Sequence, residues 1–165
     1  MIWSGDQVWG FSIPPNLQCS YLVTYRTGVD CNDQCLFKII NVSAPQPPGF
    51  LGGTTDPITL LDGATKALLQ NNSTNTCLPN PLELDFYQEY QVSVAACWRW
   101  SGPIPGPGGG EQPYLIPCDE TSCCWCFWAV NVVNEGGNLK AVARKVSCYT
   151  SVPCYDPQNC FNYCE

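Results

Sequence analysis

Apolar and polar residues alternate one for one along much of the chain, most clearly over residues 82–100. One parity carries Leu82, Leu84, Phe86, Tyr90, Val92, Val94, Ala96, Trp98 and Trp100, with only Gln88 interrupting. The other, mostly polar, carries Glu83, Asp85, Tyr87, Glu89, Gln91, Ser93, Ala95, Cys97 and Arg99. Successive side chains of a strand point to opposite faces, so this pattern predicts a half-buried antiparallel strand. Its length calls for a bend or bulge, expected near Gln88. Leu17, Cys19, Tyr21, Val23 and Tyr25 predict a second strand over 17–26, and residues 35–42 a third, with a turn-rich connection at 27–34. Residues 124–133 and 140–148 read as a hairpin around 134–138, whose glycines supply positive φ. If Asn134 faces Asn138, Trp128 falls opposite Arg144 and Cys124 opposite Cys148, the first a cation–π geometry.

Between these strands the pattern is less decisive. Asp62-Gly63, flanked by Leu60-Leu61 and Ala64, carries a hairpin signal, although Asp62 also suits the N-cap of a short helix through Leu69. The β surroundings favour the hairpin. Residues 44–53 and 101–110 are rich in proline and glycine and read as loops. Trp9, Phe11 and Ile13 alternate within an N-terminal arm, residues 1–15, that Pro14-Pro15 separates from the body. A Pro-Pro pair favours extended, stiff backbone, so the arm is expected to stand away from the strand that follows. Residues 16–165 then form one domain, an all-β, disulfide-rich antiparallel sandwich or jelly-roll-like body of seven to nine strands. It ends in a cysteine-rich tail, residues 148–165, with too few aliphatic residues to hold itself by burial.

Composition sharpens the class. Of 165 residues 13 are cysteine and none is histidine, and 14 acids against 7 bases give a net charge of −7. That charge argues against binding nucleic acid or an anionic membrane through a basic surface. Without histidine, imidazole triads are impossible. Cysteine at this density points to an oxidising compartment, hence to an extracellular or cell-surface location. No stretch approaches the length of a transmembrane helix, and no secretory signal is visible at the start, so an unconventional exit or a mature numbering is expected.

Every cysteine is a disulfide candidate: Cys19, Cys31, Cys35, Cys77, Cys97, Cys118, Cys123, Cys124, Cys126, Cys148, Cys154, Cys160 and Cys164. Cys123 and Cys126 have the Cys-x-x-Cys spacing of redox and zinc sites. The motif opens a strand rather than a helix, however, and no second close pair follows, so structural cystines are expected and no metal or cofactor. An odd count leaves one thiol over even after one head-to-tail bridge between subunits has used two. Asp30 with Asp33, Asp119 with Glu120, and Glu83, Asp85 and Glu89 on one strand face lack calcium-loop spacing and read as solvated acids. Asn41, Asn71 and Asn72 match glycosylation acceptors. Trp98, Trp100, Trp125 and Trp128 suit either a core or, if exposed together, a carbohydrate platform or subunit interface.

These features lead to a structural, non-enzymatic expectation: a subunit of an extracellular filament, appendage or surface layer whose partners are copies of itself. Trp9, Phe11 and Ile13 form the self-assembly arm, adding as a strand to the next subunit, with Cys19 and the C-terminal cysteines locking the contact. The alternatives are a monomeric secreted binding module, lectin-like or inhibitory, with a glycan as ligand, and a secreted hydrolase working through paired carboxylates.

Overall fold

The computed structural model describes residues 2–14, 16–43, 56–101, 104–105, 111–112, 114–154 and 160–164. Its elements in chain order are β1 (Ile2–Trp3), β2 (Gln7–Ile13), β3 (Asn16–Val29), β4 (Cys35–Ser43), α1 (Pro57–Leu69), β5 (Tyr87–Val94) and β6 (Cys97–Trp100). There follow β7 (Ile104–Pro105), β8 (Glu111–Gln112), β9 (Tyr114–Pro117), β10 (Cys123–Glu135), β11 (Asn138–Val152) and β12 (Phe161–Asn162). The fold is mostly β and rich in disulfides, as expected. Among the described residues the body is one curled, mixed sheet with a single helix against it, and the two stacked sheets of a sandwich are not seen.

β4 is the hub. One edge pairs antiparallel with β3 along its length, while the other pairs parallel with β5 at Leu36–Lys38 and antiparallel with β9 at Val42–Ser43. From β5 the sheet runs outward through β10 to β11, and from β9 through β6 to β12. Beyond β3 lie β1 and β2, so β2 and β11 are edges of the sheet. The short β7–β8 pair, with β7 inside the proline- and glycine-rich stretch and β8 just after it, forms a separate two-stranded sheet. Residues 44–53 lie outside the described residues.

The periodicity selects the faces. Tyr21, Val23, Tyr25, Phe37, Ile39, Tyr90, Val92, Cys126, Trp128 and Val130 share the inner face and are buried in one cluster. Against them α1 buries Leu60, Leu61, Ala64, Leu68 and Leu69, each fully inaccessible. Each of the four buried leucines contributes about 1.5–3 kcal/mol.

Residues 57–69 are a helix, not the expected hairpin. Asp56, rather than Asp62, is its N-cap: the carboxylate accepts from Thr59 N at 3.3 Å and from Thr59 Oγ1 at 2.7 Å, and Pro57 follows as the first helical residue. Apolar residues at 60, 61, 64, 68 and 69 fall on one helical face, and burying them outweighs the turn signal of Asp62-Gly63. Asn75 Nδ2 donates to Leu69 O at 2.9 Å, and Thr74 Oγ1 to Leu68 O, satisfying carbonyls that the last turn leaves open.

The long alternation at 82–100 is two strands. The chain leaves β5 at Val94 and re-enters as β6 at Cys97, so the break falls at Ala95-Ala96 rather than Gln88. Residues 82–86 precede the strand, and Leu84 is exposed. The hairpin β10–β11 closes on Gly136 (φ +60°) and Gly137 (φ +91°), which fits a two-residue turn needing positive φ at both positions. Glu135 therefore faces Asn138, Trp128 faces Lys145 rather than Arg144, and after an irregularity at Phe127/Trp128 it is Cys126, not Cys124, that faces Cys148.

Candidate functional site

The N-terminal arm does not stand away from the body. β2 folds back antiparallel on β3, in register from Gln7↔Tyr25 to Phe11↔Tyr21, and after a register shift Ile13 pairs with Asn16, so that Pro14 and Pro15 alone separate these last partners. Trp9, Phe11 and Ile13 share the parity that faces α1, whereas Val8 and Gly10 are exposed. Phe11 is buried and lies 5.5 Å from the Tyr21 ring, centroid to centroid. Ile13 rests on Gly63 of α1: a Cβ built there would lie 2.9 Å from Ile13 Cγ1 and Cδ1 and 3.7 Å from Phe11 Cε2. A helix-interior glycine is unfavourable by about 1 kcal/mol relative to alanine, and here it makes room for the arm. Polar contacts continue toward the N-terminus. Ser4 N donates to Thr27 O at 2.7 Å, Tyr25 Oη to Gln7 Oε1 at 3.1 Å, and Arg26 Nε to Asp6 Oδ1 at 2.6 Å.

Beside this contact, β2 and α1 enclose a groove of about 860 Å³ lined by Trp9, Phe11, Ile13, Asp62, Gly63 and Lys66. On the other flank of α1, Gln70 Oε1 accepts from Ala143 N at 2.9 Å, covering one position of the β11 edge. Asp62 anchors the C-terminal tail: it accepts from Lys145 Nζ at 2.8 Å and from Tyr163 Oη at 2.7 Å, with Lys145 also 5.0 Å from the centre of the Tyr163 ring. Burial, and then the adjacent Asp62 carboxylate, raise the Tyr163 pKa far above the usual phenol value; burial alone raises that of Tyr25.

Among the described residues ten cysteines form five disulfides: Cys35–Cys77, Cys97–Cys154, Cys118–Cys160, Cys124–Cys164 and Cys126–Cys148. Four of them tie residues 148–165 to the rest of the chain, which supplies the support that the tail's composition lacks. All four C-terminal cysteines are bonded within their own chain and are not available for the inter-subunit lock expected of them. Cys31, exposed, and Cys123, half-buried, are free thiols, while the side chain of Cys19 lies outside the described residues. Cys123 and Cys126 do not pair, because residues three apart on a strand point to opposite faces. The sulfurs of Cys97, Cys118 and Cys160, and those of Cys124, Cys126 and Cys148, lie within 4.8 Å of one another. All six are committed to disulfides and offer no thiolate to a metal.

The other candidates are scattered. Asp30 Oδ1 accepts from Asn32 N and Gln34 N, both at 2.8 Å, and Asp119 Oδ1 accepts from Thr121 N at 2.9 Å; these carboxylates shape turns. Glu83 and Asp85 lie before β5 and do not share a strand face with Glu89. Asn41 is in β4, and Asn71 and Asn72 follow α1. The tryptophans divide: Trp98 and Trp128 are core, Trp100 packs against the core, and Trp125 is on the opposite face of the sheet. Comparison with family models, curated proteins and solved structures finds no match to this chain.

Proposed function

We propose that the protein is a structural subunit that polymerises outside the cell by exchanging its N-terminal strand. The carrying observation is the seat of β2: an edge strand, hydrogen-bonded to β3, whose Phe11 and Ile13 fill a slot shaped by Gly63. Such a seat accepts the same strand from its own chain or from the next one. Exchange in trans keeps every contact and repeats head to tail without closing, which builds a fibre.

The hinge favours the exchange. Two-residue hairpin connections use positive φ, whereas proline holds φ near −65° and pushes the residue before it toward extended backbone. Pro14-Pro15 is therefore poor chemistry for closing on the same chain and good chemistry for reaching a neighbour. Five disulfides, with no described helix long and apolar enough to cross a membrane, are compatible with an oxidising, extracellular setting.

The hinge supplies the test. Inserting Gly-Ser-Gly-Ser between Pro14 and Pro15 lets the arm close easily on its own subunit. Negative-stain images of the parent protein are expected to show fibres, and those of the insertion variant folded monomers. Equal fibre yield from both, or none from the parent, would overturn the proposal.

A further inference from the structure

The sheet face opposite α1 carries an ordered row of side chains, of which Arg26 alone is engaged by the arm, through Asp6. Tyr149 pairs with Trp125, Trp125 with Ser93, Ser93 with Lys38, and Lys38 with Arg26. Residues directly opposite each other on neighbouring strands project from the same face. One line therefore crosses β11, β10, β5, β4 and β3, running from two aromatic rings through a hydroxyl to two cations. Phe127, two residues from Trp125 and on the same face, stacks on Tyr149 with centroids 6.0 Å apart and planes 27° apart.

The aromatic end is open: Tyr149 is 51% exposed, and Trp125 and Phe127 are half-buried. The polar end leads into a cavity of about 530 Å³ lined by Arg26, Lys38, Asn41, Ser93, Glu120 and Cys123, among others. From Tyr149 to Lys38 is three inter-strand spacings, about 14 Å, which suits a short chain of rings better than a single one. Arg26 is held by Asp6, whereas Lys38 has no ion-pair partner among the described residues, in a chain with twice as many acids as bases.

We infer that this face binds an acidic oligosaccharide. Trp125 and Tyr149 stack against the apolar faces of successive pyranose rings, Ser93 and Asn41 hydrogen-bond ring hydroxyls, and Lys38 holds a uronic-acid carboxylate at the cavity. Flat aromatic surface fits sugar rings because their C–H faces are apolar while their edges are hydroxylated. An unpaired ammonium beside such a platform distinguishes a carboxylate-bearing sugar from a neutral one. The site does not depend on strand exchange, since it uses the other face of the sheet.

Calorimetric titration of the full-length protein with tetragalacturonate, a hyaluronan tetrasaccharide and neutral cellotetraose tests it. Binding of at least one acidic tetrasaccharide, at least about tenfold tighter than cellotetraose, is expected, tenfold being 1.4 kcal/mol. Trp125→Ala should weaken that binding about tenfold or more and Trp125→Phe largely restore it, while Lys38→Gln should remove the preference for acid. An unchanged far-ultraviolet circular dichroism spectrum and a cooperative thermal transition would show that the variants are folded. No binding to either acidic probe, equal affinity for the neutral one, or affinity indifferent to both positions would overturn the assignment. So would a Trp125→Ala variant that loses fibres while its sugar binding is unchanged, because the face would then be a subunit contact.

Discussion

Substituting Gly63 by alanine sets two effects of opposite sign against each other at one residue. Within α1 the change is favourable by about 1 kcal/mol, because alanine loses less conformational freedom on entering a helix. At the arm it is unfavourable: the new Cβ would stand 2.9 Å from Ile13 Cγ1 and Cδ1, too close without displacing that side chain. Forcing a methyl group into a filled seat costs about 1–3 kcal/mol, so Gly63→Ala alone should destabilise the protein slightly, by about 0–2 kcal/mol. Ile13→Ala removes the two atoms that clash; because Ile13 is only half-buried, that change alone should cost about 1–2 kcal/mol, below the full core value. In the Ile13→Ala background, Gly63→Ala should then become stabilising by about 1 kcal/mol. Guanidinium titration of all four proteins, followed by tryptophan fluorescence without reductant, gives the coupling, expected near 2 kcal/mol. Additive effects within about 0.5 kcal/mol would refute the seat of Ile13 on Gly63.

Other consequences can be checked in the same way. Tyr163→Phe removes the donor to Asp62 and should cost about 1.5–3 kcal/mol near neutral pH, read from the denaturation midpoint. Because the folded Tyr163 phenol has a pKa raised above its unfolded value, its contribution is complete below the ordinary phenol pKa of about 10 and falls as pH rises beyond it, by about 1.4 kcal/mol per pH unit. The variant should show a correspondingly shallower alkaline loss, and an unchanged slope would contradict the assignment. Replacing Cys124 and Cys164 together by alanine opens a loop of 40-residue separation and should cost about 4 kcal/mol in the chain-entropy account, with earlier protease cleavage of the tail. Iodoacetamide under native conditions should label Cys31 rapidly and Cys123 slowly, with none of the ten bonded cysteines modified before reduction; peptide mapping by mass spectrometry decides it.

Much of the sheet was legible because half-buried strands advertise themselves by alternation: β3, β4, β10 and β11 lie where period-2 reading puts them. The same rule ran β5 and β6 together, since parity survives the step at Ala95-Ala96 and no glycine or proline marks it. The helix was missed for a local reason. Asp62-Gly63 resembles a turn in isolation, while the signal that prevailed, Asp56-Pro57 followed by apolar residues at helical spacing, lay a few residues upstream. Register in β10–β11 escaped because a two-residue glycine turn and two irregularities shift the pairing. Cystine connectivity depends on which distant strands become neighbours, and spacing carries no trace of that. The outer-face row was out of reach for the same reason: Tyr149, Trp125, Ser93, Lys38 and Arg26 come from five separate strands. The arm is the most instructive case. Trp9, Phe11 and Ile13 marked it as a strand seeking an edge, but nothing in their order says whose edge it takes.

That choice is directly measurable. Gly10 and Leu22 are register partners on the exposed side of β2 and β3, at a separation that cross-strand disulfides accommodate. In assembled Gly10→Cys/Leu22→Cys protein, strand exchange places the two new thiols of each bond on different chains. Denaturing electrophoresis without reductant should then give a ladder at multiples of 18.2 kDa that collapses on reduction and is absent from the parent protein. Quantitative cross-linking with every molecule still migrating at subunit mass would contradict strand exchange.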